Sequence, residues 1–209
     1  MLAQVLDVAG IVFLFAPTFH PAMRHASQVR RELGVTTIMN LLGPLANPAG
    51  VTRQVLGVSD PERGPLLANA LAMLGTRHAL VVHGAEGMDE VSPLGPTHVW
   101  EVREGTMLEW EIDPASFGVA PGRVEQLAGG EPGHNAEIIA AVLAGTRSGA
   151  ARDALRLNAA AALYVAGREW SFAEALERAT AALDEGKGME ALERLREATA
   201  TAGRGKREP

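Results

Sequence analysis

Two neighbouring carboxylates on a glycine-flanked loop are the residues best suited to chemistry. The stretch Gly84-Ala85-Glu86-Gly87-Met88-Asp89-Glu90-Val91-Ser92 follows an apolar run and sets Asp89 beside Glu90. Such a pair can turn toward one cation. Mg²⁺ suits it, because that ion takes one or two carboxylates and completes its octahedron with waters and substrate phosphate oxygens. A solvated acidic turn is the bland alternative, since carboxylates are common on loops. A second candidate is His20, between the apolar run 11–16, closed by Pro17, and a segment opened by Pro21. Proline suits a first helical turn, so His20 falls at a strand-to-helix junction, where open parallel sheets bind ligands. Helical spacing brings Arg24, Ser27 or Gln28 and Arg31 near the His20 face, and Arg30 returns close to that azimuth after about three turns. One basic group can thus face a ligand together with His20.

These residues need a scaffold, and the pattern predicts an α/β one. Residues 11–16 (IVFLFA) form a short continuous apolar run, the signal of a strand buried on both faces. Before it, Leu2, Val5, Leu6 and Ala9 recur at helical spacing. Gly34 ends the helix after His20, and residues 37–42 start another before Gly43-Pro44 and Asn47-Pro48 break the chain. Residues 52–59 predict a strand, and Asp60 with Pro61 opens a helix. That helix buries Leu66, Leu67, Ala70, Leu71 and Leu74 and ends at Gly75, and residues 76–84 return as a strand. Strand, helix and strand make a parallel βαβ unit with a right-handed crossover, which ends at the Asp89-Glu90 loop.

Residues 97–102 and 106–112 alternate around Arg103-Glu104-Gly105, the pattern of a hairpin at a sheet edge. Trp100 and Trp110 are read as cross-strand packing rather than a stacking platform. Helices are predicted over 135–143 and 150–166, then from the capping box Ser171-Phe172-Ala173-Glu174 to near Gly186, and last from Met189 to about Thr199. Glu137, Arg152, Asp153 and Asn158 are read as hydrogen-bonded support. The expected class is α/β, a mostly parallel sheet flanked by helices, with residues 203–209 as a disordered polar tail.

Composition narrows the function classes. At 209 residues and 47% hydrophobic, the chain can bury one sizeable core. A net charge of -6, with basic residues interspersed among acids, argues against a nucleic-acid surface. The absence of cysteine excludes disulfides and thiolate chemistry, and the six histidines lack zinc-site spacing. No apolar run approaches the ~20 residues of a membrane span. Residues 1–10 lack the charged first region of a signal peptide, so the cytoplasm is the expected compartment.

Three segments in order resemble a known family, the anthranilate phosphoribosyltransferases of tryptophan biosynthesis. They are F-A-P-x-x-H-P-A-M at 15–23, V-R-R-E-L-G at 29–34 and N-L-L-G-P-L-x-N-P at 40–48. Thr36 and Met39 stand where members often carry Arg and Phe, and are read as packing variants. The resemblance implies a fold like the nucleoside phosphorylases and phosphoribosyltransferases. Residues 1–202 would be its C-terminal α/β domain, with 20–48 including helices of the small helical domain and hinge. It implies that Asp89 and Glu90, in the G-x-D-E-x-S motif, hold Mg²⁺. Arg30 would pair with the anthranilate carboxylate, a task its planar fork suits. His20 would line the aromatic-acid channel with Ala16, Pro17 and Met23, and Gly43 would let the backbone approach the ring.

The implied reaction transfers a phosphoribosyl group from phosphoribosyl pyrophosphate to anthranilate, giving N-(5-phosphoribosyl)anthranilate and pyrophosphate. Full-length members are expected to be homodimers. Roughly their first two-fifths has no counterpart here, and with it go the glycine-rich phosphate loop, a Ser/Thr-rich segment and a K-H-G-N-R element. Neither Gly84-Ala85-Glu86-Gly87 nor Gly129-Gly130 replaces them. A separately encoded N-terminal half is one possible source, and a non-catalytic remnant or the partner-binding half of a split enzyme is the alternative reading. A pyrimidine nucleoside phosphorylase shares the overall fold, but the segments at 15–23 and 40–48 argue against it.

Overall fold

The computed structural model describes residues 1–19 and 45–204. The chain begins with α1 (Leu2–Ala9), which Gly10 closes in the left-handed region at φ 74°. The run 11–16, expected as a buried strand, is not one. Ile11, Phe13 and Phe15 are 50%, 72% and 57% exposed, residues 12 and 14 are half-buried, and a single helical turn follows as α2 (Ala16–Phe19). The alternation of a strand is present, but among the described residues no ladder partner satisfies its backbone, and a strand needs one.

The βαβ unit forms as its pattern demands. Strand β1 (Arg53–Gly57) leads through one 3₁₀ turn to α3 (Gly64–Met73) and returns as β2 (His78–His83), parallel to β1 with Arg53 opposite His78. Asp60 caps the turn, accepting from Glu62 N at 3.1 Å and Arg63 Nε at 2.8 Å. Helix α3 seats Gly64, Leu67, Ala68 and Leu71 on the sheet. Leu66 and Leu74, expected in that face, are 58% and 65% exposed. Leu66 lies about 100° off the i, i+3, i+4, i+7 stripe, and Leu74 is already the C-cap. Gly64 is needed because an added Cβ would lie 2.3 Å from ring carbons of Trp100.

Strands β3 (Thr97–Arg103) and β4 (Thr106–Ile112) make the expected edge hairpin. Its two-residue turn takes Glu104 and Gly105 to φ 49° and 82°, the double left-handed geometry that matches the twist of a tight hairpin. The sheet order is β1-β2-β3-β4, with one parallel and two antiparallel pairings among the described residues.

Both faces of β2 are covered, as a continuous apolar strand requires. Ala79 and Val81 pack with Leu67 and Leu71 of α3. Leu80 and Val82 pack with Leu157, Ala160 and Ala161 of α5 (Ala150–Val165) and with Ala175 of α6 (Phe172–Asp184). The valine and leucine side chains buried this fully contribute ~1.5–3 kcal/mol each. Trp100 and Trp110 lie on opposite faces of the hairpin, in the α3 and α5–α6 layers respectively, so each packs locally and they share no platform.

Helix α4 (Pro132–Leu143) precedes α5, and the Ser171 capping box opens α6 with Glu174 N donating to Ser171 Oγ at 3.3 Å. Helix α7 (Lys187–Arg204) returns to pack on α1 through Ala198, Val5 and Ala9. It runs through Gly203, so residues 203 and 204 are helical where a tail was expected. Ala202 packs on the α1 cluster and carries the helix to its end.

Candidate active site

The loop after β2 is built to hold two carboxylates. Gly84 N donates to Met88 O at 2.8 Å, and Glu86 and Gly87 turn the chain with φ 60° and 78°. This reversal brings Asp89 across the C-terminal end of β1. A Cβ added at Gly57 would lie 1.5 Å from Asp89 O and 2.3 Å from its carbonyl carbon, so the strand end and the loop meet backbone to backbone. Gly84 is nearly as tight, with an added Cβ 2.5 Å from Glu90 O. Beside this contact His83 Nδ1 lies 2.9 Å from Val58 O, which requires that nitrogen to carry the proton.

The far side of the pair is pinned from α5. Val91, fully buried, donates its N–H to Asn158 Oδ1 at 2.9 Å, and Asn158 Nδ2 donates to Val91 O at 2.8 Å and Ala154 O at 2.9 Å. Ser92 N then donates to Thr97 Oγ1 at 2.9 Å. Asp89 and Glu90 therefore project into solvent from a backbone fixed on both sides.

Partial desolvation, with the Asp89 charge beside it, raises the pKa of Glu90 above its ordinary value. A cation relieves such a pair. Among the described residues no third carboxylate or imidazole joins them as a metal cluster. The donor set fits a hard divalent ion such as Mg²⁺, which keeps waters and substrate oxygens in its remaining positions.

The structure thus brings together Asp89 and Glu90. Ala16 and Pro17 fall on the α2 turn, and His20, Met23, Arg30 and Gly43 lie outside the described residues. Of the polar residues on the later helices, Asn158 alone grips the loop. Arg152 pairs with Asp184, Asp153 pairs with Arg156 at 2.8 Å, and Glu137 is exposed.

A second polar cluster was not anticipated. Glu101, 5% exposed, accepts from Trp110 Nε1 at 2.8 Å and from the Tyr164 hydroxyl at 3.1 and 3.2 Å, and His78 Nε2 lies 2.7 Å from it. Burial lowers the pKa of His78 despite this bond, and pushes the Tyr164 hydroxyl up to about 12 with the charge of Glu101 adding to it. The alternation of 97–102 hid Glu101, which sits among inward residues of β3 and is tolerated only because three donors reach it.

Residues 1–189 match the model for the glycosyl transferase family, a/b domain. The chain belongs to that family. Within it, the chain is 50% identical over 197 residues to an anthranilate phosphoribosyltransferase of Thermomicrobium roseum, covering 93% of this chain and 56% of that protein. A Rubrobacter xylanophilus protein of the same name is 47% identical over 204 residues, 97% of this chain and 60% of that one. Among solved structures, anthranilate phosphoribosyltransferase from Thermus thermophilus superposes with TM-score 0.82 at 44% identity, covering 90% of this chain and 55% of that one. The Saccharomyces cerevisiae enzyme in complex with phosphoribosyl pyrophosphate and Mg gives TM-score 0.82 at 30% identity, with 91% and 55% covered. The chain spans a little over half the length of the relatives it matches.

Proposed function

We propose that this chain supplies the anthranilate and metal residues of a phosphoribosyltransferase that forms N-(5-phosphoribosyl)anthranilate and pyrophosphate in tryptophan biosynthesis. The observation that carries the reading is the Asp89-Glu90 pair, fixed between Gly57 and Asn158 at the C-terminal edge of the sheet. Similarity to proteins named for this reaction, one of them solved with the diphosphate substrate and Mg, supports it.

In this reading the anthranilate amine forms the new bond to the anomeric carbon as the C–O bond to pyrophosphate breaks, and the amine proton leaves to solvent. Asp89 and Glu90 hold Mg²⁺, which when bound neutralises charge developing on the leaving diphosphate. Arg30 takes the anthranilate carboxylate as a bidentate partner. His20, Ala16, Pro17 and Met23 line the channel, and Gly43 admits the ring. Little proton chemistry is asked of the chain, because the aromatic amine is already a neutral nucleophile. Orientation is the main contribution, and for well-placed reactants it is worth ~7–11 kcal/mol. The reading implies a cytoplasmic protein and, for a full-length assembly, a homodimer. Among the described residues no helix is long and apolar enough to cross a membrane.

One observation favours a second reading, in which this is half of a split enzyme. Ile11, Phe13 and Phe15 stand exposed on a stretch that another polypeptide, carrying the phosphate cradle, would cover. One assay addresses both. Anthranilate fluorescence is followed with phosphoribosyl pyrophosphate and Mg²⁺, for the chain alone and with a relative's N-terminal part added. Loss of fluorescence by the chain alone, abolished by Asp89→Ala with Glu90→Ala, supports the first reading. Loss only in the mixture supports the second. No loss in either, from folded protein, refutes both.

A further inference from the structure

Three arginines gather at the end of the sheet opposite Asp89 and Glu90. Arg53 opens β1, Arg77 precedes β2 and Arg103 closes β3, and the ladder places Arg53 opposite His78 and His78 opposite Arg103. These neighbouring strand ends border a cavity of about 480 Å³, closed on its other side by Gly167, Trp170 and Ser171 between α5 and α6. Small-molecule sites occupy about 300–1,000 Å³.

None of the three arginines forms an ion pair among the described residues. Arg53 is set in place, because its Nη1 donates to Val165 O at 2.7 Å and its guanidinium lies against Gly167. Gly167 has φ 84°, and an added Cβ there would lie 2.7 Å from the guanidinium carbon. Arg77 and Arg103 are exposed and line the cavity opposite it.

Glu104 and Glu169 also line the cavity but are outnumbered, and the buried Glu101 beneath is already saturated by His78, Trp110 and Tyr164. A planar guanidinium fork binds carboxylate and phosphate through paired charge-assisted bonds, so three forks around one space select an oxyanion.

We propose that this cavity is a binding site for a small metabolite bearing a phosphate or carboxylate group, remote from the Asp89-Glu90 edge. The site stands on Arg53, Arg77 and Arg103 alone and holds whichever reaction the opposite edge supports.

The test titrates the full chain with inorganic phosphate and, separately, with citrate at fixed ionic strength, following the backbone amide resonances of Gly105, Gly167 and Ser171. Saturable shifts at these amides with at least one probe are expected. The affinity should weaken at least about tenfold in an Arg77→Gln, Arg103→Gln double variant, since each lost fork removes charge-assisted bonds. It should be unchanged in Asp89→Asn, Glu90→Gln. Both arginines are exposed, so the double variant should melt with the parent, which separates lost binding from lost fold. The probe that saturates at lower concentration identifies the anionic group. Linear, unsaturated shifts with both probes, or equal affinity in the arginine double variant, would overturn the proposal.

Discussion

Asn158→Ala tests whether the clamp from α5 fixes the carboxylate loop. The substitution deletes the amide that accepts from Val91 N at 2.9 Å and donates to Val91 O at 2.8 Å. Val91 is fully buried, so both of its backbone groups lose their partner where water does not readily replace it. Each unsatisfied group costs roughly 1–3 kcal/mol, and the pair together roughly 2–5 kcal/mol after local relaxation. For a chain of this size the melting temperature falls about 2–4 °C per kcal/mol, so a drop of about 4–20 °C is expected by circular dichroism.

Asn158→Asp sharpens the test. It keeps the acceptor for Val91 N but sets a carboxylate against Val91 O, which favours the protonated acid in the fold. That variant should therefore regain stability as pH falls, a trend the alanine variant lacks. Limited proteolysis should find new cleavage within residues 84–92 in both variants. A melting temperature within about 1 °C of the parent in Asn158→Ala would refute the reasoning, since the mutational scale for buried unsatisfied groups excludes so small an effect.

Other expectations follow from the same geometry. Gly57→Ala forces the loop back by roughly 2 Å to restore ordinary contact. It should cost about 1–3 kcal/mol in urea unfolding, and Mn²⁺ binding read by electron paramagnetic resonance should weaken with it. Burial holds His78 below its ordinary 6.5, so the unfolded chain takes up a proton that the folded chain refuses. Stability from this group is then lost as pH drops below 6.5, and His78→Gln should flatten the acid limb of melting temperature plotted against pH. Tyr164, at about 12 against 10.0 when unfolded, contributes fully below pH 10 and loses that contribution as pH rises toward 12. The loss amounts to at most roughly 2–3 kcal/mol. Tyrosinate absorbance reads it directly because the chain has one tyrosine, and a titration midpoint near 10 would contradict it.

What the sequence discloses depends on whether a signal is local. The hairpin was legible because Glu104-Gly105 and the flanking alternation specify turn and strands within a few residues, and the Ser171 box and the Asp60-Pro61 start are equally self-contained. The run 11–16 misled because composition favours a strand but cannot supply the partner that makes one. Leu66 and Leu74 misled because apolar character does not say which way a helix leans.

At the site, Asp89 and Glu90 were visible as an adjacent pair, whereas Gly57 is one glycine among 23 until the loop is seen resting on it. The arginine cavity was out of reach for the same reason. Arg53, Arg77 and Arg103 are far apart in sequence and meet only through the strand register.

The contact between Gly57 and Asp89 has a consequence for engineering. Where two backbones touch, the distance between them is set by the van der Waals radii of backbone atoms that no substitution alters, whereas a side-chain spacer would let it drift with every repacking. Repacking Leu56 or Val58 beneath the edge should thus change how much heat the fold tolerates while leaving the carboxylates where they are. Stability and the geometry of the edge become separately adjustable traits, and thermostabilised versions of this chain can be sought in the α3 layer without retuning the loop.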